Sequence, residues 1–228
     1  MSIQQVINYS SGMDIDRRKL VGIQFTRSQM PRTNLTPTKN PWNFTITVPG
    51  LPWQDVRGMY EALTNTDRYQ PSVVSFANNP KLSWMWRYQG DSLATPTGLT
   101  VASFVGDQLT INGVSALGLA VGQAVFRPGD LLQIATKPYP FTVVTQVNYA
   151  GSNSITVTTH RPNIITSSVT GLGITVGGSC QFNLFCADLP TPQLSPGARR
   201  LDTQGNTSNN AICGWSGPFT LVEWTAGA

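Results

Sequence analysis

Apolar residues in this chain recur at every second position over short stretches, and glycine or proline closes almost every stretch. In "KLVGIQFTR", Val21, Ile23 and Phe25 share one side; in "NFTITVP", Phe44, Ile46 and Val48 do, with threonines between them. A period of two sends alternate side chains to opposite faces of an extended backbone, so each stretch reads as a strand with one buried face. With 21 Gly and 16 Pro, turns are frequent enough to keep such strands short. The pattern predicts a mainly β protein built from antiparallel sheet, and 228 residues suffice for one such domain or two small ones.

One segment follows a different period. In "GLPWQDVRGMYEALTN", Trp53, Val56, Met59 or Tyr60, and Leu63 recur at three to four residues, with Pro52 near the first turn, where its missing N–H costs little. This predicts one helix over about 52–64, its apolar stripe laid on a sheet.

From "ATPTG" near residue 95 the composition shifts to Gly, Thr, Val, Ser and Leu with few charges, as far as about residue 170. The shift predicts a β core from 1–95 and 171–228, interrupted by an inserted β module over 96–170. Within the module, "VGDQLTING" reads as a hairpin or strand with Asn112-Gly113 as a tight turn. In "RPGDLLQI", Pro128 presets its own φ and Gly129 is free to take φ > 0. "YPFTVVTQV" and "SITVTTH" are then expected to pair across "NYAGSN", and "GLGITVGG" to serve as a flexible hinge. Beyond it, Cys180, Phe182, Leu184 and Cys186 alternate with polar or aromatic partners, and Phe219, Leu221 and Glu223 oppose Thr220, Val222 and Trp224. The polar run "DTQGNTSNN" between them reads as a mobile loop unless a partner orders it.

Only 11% of the residues are Asp, Glu, Lys or Arg, against about 25% in an average soluble domain. A neutral surface rich in Thr, Ser, Asn and Gln suits a chain whose faces are covered by neighbours, and suits a secreted β protein as well. The net charge of +4 is weakly basic, and no RNP-like or helix-turn-helix pattern organises it, so no specific nucleic-acid binding is expected. One run stands out: Arg17, Arg18, Lys19, Arg27, Arg32 and Lys39 have no acid among them. Such a run is a solvated strand face or arm, or a surface that docks on an acidic partner.

The three cysteines, Cys180, Cys186 and Cys213, have no metal-ligand spacing. Cys180 and Cys186 on one strand face would stand roughly 20 Å apart at about 3.3 Å per residue, too far to bridge. Buried free thiols in a reducing compartment are expected. The opening "MSIQQVINYSSGMDIDRRKL" lacks the parts of a secretory signal, and no apolar run approaches a membrane span. The expectation is assembly in the cytosol, with any exit taking place inside a particle.

Groups for catalysis are scarce. His160 is the one histidine, at a predicted strand end where packing or capping is its expected role, and no His-pair metal site can form. A glycoside hydrolase would have to use Glu61, Glu223 or scattered aspartates, of which Asp107 and Asp130 flank turns. No P-loop, nucleophile elbow or dinucleotide fingerprint is present. The expectation is a non-enzyme without cofactor or metal. Read as a strand, "KLSWMWRYQ" places Leu82, Trp84, Trp86 and Tyr88 on one face, which suits core or subunit interface, or a stacking platform for sugars.

The order of these parts resembles a known family: basic, aromatic N-terminal strands, then "WQDVRGMYEAL" in the helix from Trp53 to Leu63, then "GDLLQI … YPFTVVTQV … GSNSITVTTHRP", then the returning strand "CQFNLFCAD". It is similar to structural proteins of bacteriophage tails, in particular distal tail or baseplate hub-like proteins. The Arg161-Pro162 order is reversed from the one that family leads one to expect. The resemblance implies a β-sandwich or barrel core with one packed helix and an inserted small β domain. It implies a homo-oligomeric ring, usually a hexamer, docking the tail tube, hub and other baseplate proteins in the virion. Candidate interface residues are Arg17, Arg18, Lys19, Arg27, Arg32, Trp84, Trp86, Tyr88, Arg127, Asp130, Tyr139 and Tyr149. The competing reading is a virion carbohydrate-binding module that uses Trp84, Trp86 and Tyr88.

Overall fold

A computed structural model of the chain describes residues 2–17, 21–25, 31–35, 40–67, 70–195, 200–201, 207–208 and 211–225. Short antiparallel sheets are its main regular structure, in a mainly β, sandwich-like fold. Contacts divide the chain into two units: Met1–Asp16, Trp42–Lys81 and Phe182–Trp224 form the first, and Arg17–Pro41, Leu82–Gln181 and Thr225–Ala228 the second. The boundaries expected near residues 95 and 170 both fall inside the second unit.

The first unit is organised by a five-stranded sheet in the order Gly12–Asp16, Asn43–Thr47, Phe219–Glu223, Gln181–Asp188, Ser72–Ser75. Its inner face carries the residues that the period-two pattern selects: Phe44 and Ile46, Phe219 and Leu221, Phe182, Leu184 and Cys186 are all buried. Phe182 lies at the centre of an aromatic cluster, edge-on to Trp42 at 5.5 Å, to Phe44 at 5.3 Å and to Phe76 at 5.3 Å. Edge-to-face geometry sets the positive ring edge against the negative ring face and adds to the gain from burial. A second small sheet joins Pro192–Ser195, Ile212–Trp215 and Leu51–Pro52.

The helix read from sequence is present as α2, Trp53–Ala62, with Pro52 at its N-cap, and the turn that follows, Leu63–Asp67, widens to π geometry. Val56, Met59 and Leu63 form its buried stripe. A second helix, α1, Ser2–Tyr9, was not expected. Its buried residues Ile3, Val6 and Ile7 fall at helical spacing, but the segment is too short to show more than two turns of that period. Tertiary bonds hold it. Gln4 exchanges two hydrogen bonds with the backbone of Ser75 (2.8 and 2.9 Å), and the Asn79 amide donates to the Ile7 carbonyl (2.6 Å) and to Ser10 (3.0 Å).

The second unit contains two three-stranded sheets, Ser154–Thr158, Gln108–Asn112, Thr100–Val105 and Phe141–Thr142, Leu131–Ile134, Ile174–Val176, with the pair Val147–Asn148 and Ala124–Phe126. They share a core that includes Leu109, Ile111, Phe126, Leu132, Phe141, Val157 and Val176. The hairpin Val21–Phe25 and Pro31–Leu35, in register from Val21 opposite Leu35 to Phe25 opposite Pro31, forms a sheet of its own.

Several local expectations are corrected. The tight turn of the first hairpin is Gly106-Asp107, between Thr100–Val105 and Gln108–Asn112, and Asn112-Gly113 instead ends a strand, Gly113 taking φ 96° to start the 3-10 turn Val114–Leu117. "YPFTVVTQV" meets "SITVTTH" only around the Val143–Thr159 bridge. The main ladder of Phe141–Thr142 runs to Leu131–Leu132, and that of Ser154–Thr158 to Gln108–Asn112. Pro138 and Pro140 supply no N–H, so the strand that begins after them is only two residues long. "GLGITVGG" is not a hinge: Ile174–Val176 pairs with Leu132–Ile134, its Ile and Val buried, and the glycines mark the ends. The turn at Pro128-Gly129 forms as expected, with Gly129 at φ 98° and the Asp130 amide donating to the Arg127 carbonyl (3.1 Å). Most of "DTQGNTSNN", 202–206 and 209–210, lies outside the described residues; Thr207–Ser208 pairs with Arg200–Leu201.

Because Phe182 touches three other rings, Phe182→Ala is expected to cost about 3–5 kcal/mol. Chemical unfolding followed by the near-ultraviolet signal of the buried aromatics measures it, and a loss below about 1 kcal/mol, the scale of a surface substitution, would remove the cluster from its central role.

Candidate functional site

The expected aromatic row does not form. Ser83–Trp86 is a 3-10 turn, in which residues two apart diverge. Trp84 is 70% exposed and Trp86 only 7%. Tyr88 is half-buried, its hydroxyl donating to the Val125 carbonyl (2.5 Å) and its ring edge-on to Phe126 at 6.2 Å. Burial pushes its pKa up to about 12, against a backbone N–H from Ser92 that favours the charged form. No single face presents all three rings to a sugar.

The polar residues of the "RPGD" turn form a compact network. Both oxygens of Asp130, a buried side chain, accept backbone amides: Oδ1 from Gln89 and Oδ2 from Arg127, each at 2.8 Å. Burial raises its pKa, although the two amide bonds act in the opposite direction. Asp91 pairs with the Arg127 guanidinium at 2.7 Å and accepts the Ala124 amide at 2.7 Å. Those bonds, the amide first, hold its pKa low. The network stitches the segment after Trp86 to the strand Ala124–Phe126. It explains Asp130 and Arg127 as turn and tie residues, with only Arg127 exposed.

A recess of about 320 Å³ is lined by Arg17, Asn40, Asp107, Val144, Thr158, Thr159 and His160. It gathers the one histidine with a guanidinium and a carboxylate, and is therefore where chemistry would be sought. Its bonds are structural. The Thr142 amide donates to His160 Nδ1 (2.9 Å), the His160 amide donates to the Thr142 carbonyl (3.0 Å), and Arg17 donates to the Thr142 hydroxyl. With Nδ1 occupied as an acceptor, the neutral ring carries its proton on Nε2 and has no lone pair left for a general base. Burial also lowers the pKa of Arg17.

Next to His160 stands Arg161, which the sequence marks only through its order with Pro162. Its side chain is 1% exposed, donating to the carbonyls of Pro140 (2.9 Å) and Asn40 (3.3 Å) with its guanidinium 5.0 Å from the Phe141 ring centre. Nothing in "THRP" distinguishes a buried arginine from an exposed one. Two prolines nearby, which leave carbonyls without strand partners, are the only hint.

The remaining expected residues separate. Tyr139 is buried in the core of the second unit, and Tyr149 packs half-buried against it. Arg18, Lys19, Arg27 and Lys39 lie outside the described residues, and Arg32 falls on the strand Pro31–Leu35. Trp86, Asp130 and Tyr139 therefore offer no side chain to a partner; Trp84 and Arg127 do. Glu223 is buried, its carboxylate accepting the Trp42 amide (3.1 Å), whereas Glu61 is exposed on α2. The thiols of Cys180, Cys186 and Cys213 are free and buried, and burial raises the pKa of Cys180 and Cys213. Cys180 stands one residue ahead of the strand it was assigned to. Among the described residues, no three His, Cys, Asp or Glu side chains gather as a metal site, and no helix is long and apolar enough to cross a membrane.

What the surface does offer is apolar side chains. On the second unit Leu93 is fully exposed, and Val105 and Val121 expose about as much as Trp84. Leu93 belongs to a cleft of about 550 Å³ shared by Asp91–Thr97, Ala116–Leu119 and Gln123. Compared with known proteins, the chain matches no protein-family model and no curated protein.

In Asp130→Asn, the new NH2 faces one of the two amide donors, so a loss of about 1–3 kcal/mol is expected. The folded carboxyl titrates above its ordinary 3.8. Its contribution to stability is therefore full below that value and declines as pH rises through the folded pKa. Urea midpoints measured across this range should show that decline in the wild type and none of it in Asp130→Asn; equal pH profiles would refute the assignment.

Proposed function

We propose that this chain is a structural component of a bacteriophage tail, forming a ring at the distal end of the tail tube or in the baseplate and docking neighbouring tail proteins. The observation that carries the reading is the surface of the second unit. Trp84, Leu93, Val105 and Val121 are each 70% exposed or more, in a chain whose charged fraction is 11%. Single exposed apolar residues are ordinary, but large ones on a surface with few charges to keep copies apart favour association. The resemblance in the order of segments supplies the kind of assembly. Within it, the stretch from Phe126 to Pro162 acts mechanically: its turns and ladders are tied by Asp130, His160 and Arg161, leaving a stiff frame that holds surface contacts in place.

The virion is then the site of action, with the host cytoplasm the place of assembly. The partners are further copies of the chain, the tube, the hub and other baseplate proteins. A role in turnover finds no support in His160, whose acceptor nitrogen is held by a backbone amide, or in Glu223, which holds the Trp42 amide. The carbohydrate reading loses its platform with Trp86 buried.

Mass photometry of the purified chain at micromolar concentration should give a closed multiple of 24.7 kDa, with annular particles in negative stain. Antibody against the chain should label one end of tails. A 24.7 kDa species that never associates and never enters tails would refute the proposal.

A further inference from the structure

His160, the one histidine of the chain, stands where two sheets of the second unit meet. It follows the strand Ser154–Thr158, whose ladder runs to Gln108–Asn112, and its partner Thr142 ends the strand Phe141–Thr142, whose ladder runs to Leu131–Leu132. The two residues exchange a pair of bonds across this junction. The His160 amide donates to the Thr142 carbonyl (3.0 Å), and the Thr142 amide donates to His160 Nδ1 (2.9 Å). The first bond is indifferent to the charge on the imidazole. The second needs a lone pair that a protonated imidazole does not have.

The charges nearby set the sign of that dependence. Among the described residues, three charged groups face the imidazole. Arg17, in the segment that follows Gly12–Asp16, donates to the Thr142 hydroxyl. Arg161 is buried with its guanidinium 5.0 Å from the centre of the Phe141 ring, and that ring lies 6.4 Å from the imidazole. Asp107 lines the same recess as His160 from the Gly106-Asp107 turn, but it is exposed and its carboxylate accepts the Gln108 side-chain amide (3.1 Å). Two guanidinium groups against one solvated carboxylate disfavour a further positive charge at this place. Protonation would also turn an N–H of the imidazole toward the N–H of Thr142, setting donor against donor.

We infer that His160 is an acid-sensitive latch of the second unit, closed by the neutral imidazole and opened when the imidazole takes up a proton. Opening leaves the junction to the Val143–Thr159 bridge and the bond from the Val144 amide to the Thr158 carbonyl. An unfolded histidine takes its proton near about pH 6.5. The closed latch must surrender an accepted bond to do the same, so the open and unfolded forms bind more protons than the closed one. The latch therefore contributes in full above that pH and loses its contribution as pH falls below it. This is opposite in sign to Asp130, whose contribution declines as pH rises. The inference does not depend on the tail reading.

Hydrogen exchange of the full chain, read by mass spectrometry on the peptide that contains Thr142, tests it. Between about pH 7.5 and about pH 5.5 the protection of that peptide, corrected for the intrinsic pH dependence of exchange, should fall about tenfold, the change that one proton linked near about 6.5 gives. A peptide from Gln181–Asp188, in the first unit, should keep its protection. In His160→Asn the side-chain carbonyl takes the place of Nδ1 as acceptor and does not titrate, so protection should stay level. Isotope-labelled histidine gives one imidazole signal, and its titration should share its midpoint with the fall in protection. Level protection in the wild type overturns the inference, as does an equal fall in His160→Asn. If circular dichroism shows that His160→Asn does not fold, the two midpoints decide: coincidence supports the latch, and separation overturns it.

Discussion

The second unit depends on a cation placed where cations are rarely found. Arg161 is buried beside Pro140, its charge stabilised by the carbonyls of Pro140 and Asn40 and by the face of Phe141. A guanidinium removed from water costs several kcal/mol unless its donors find acceptors. The acceptors here are backbone carbonyls, whose positions are set by the fold itself. His160 and Thr142 zip the chain together one residue away through their paired backbone and ring bonds. The geometry of the strand ends is thus fixed by directional polar bonds, while the apolar core supplies most of the driving force.

The same division of labour recurs at the "RPGD" turn. Pro128 and Gly129 shape the bend, but the Asp130 carboxylate, accepting amides from Gln89 and Arg127, ties the bend to a distant segment. In the first unit the tie is Glu223, which receives the Trp42 amide beside the aromatic cluster. Three of the ionisable groups that invite a catalytic reading, His160, Asp130 and Glu223, are engaged in holding backbone, whereas Glu61 is exposed on α2.

What the sequence made legible follows the reach of its signals. Period two located the strands around Phe44, Phe182 and Phe219, because burial on one face leaves its mark residue by residue. Period 3.6 located α2, since ten residues display it nearly three times. Helix α1 was missed because two turns display it too few times, and its bonds to Ser75 and Asn79 are tertiary. The aromatic row failed for a related reason: "SWMW" alternates as a strand would, yet the 3-10 turn it forms buries one Trp and exposes the other. Pairing partners were the least legible, since any threonine-rich strand can form a ladder with any other. The burial of Arg161 was nearly illegible, the nearby prolines being its one hint and its acceptors lying 21 and 121 residues away.

The order of strands in the five-stranded sheet has a consequence for how the polypeptide is made. Phe219–Glu223 sits in the middle, bonded on one side to Asn43–Thr47 and on the other to Gln181–Asp188. A nascent chain leaving the ribosome therefore completes the long interrupting segment 82–181 well before this keystone strand emerges. Until then Asn43–Thr47 waits with one edge bare, a template for any other extended segment nearby. Loss of Phe219–Glu223 alone would remove the middle of the sheet, so its damage would be out of proportion to the length of that strand.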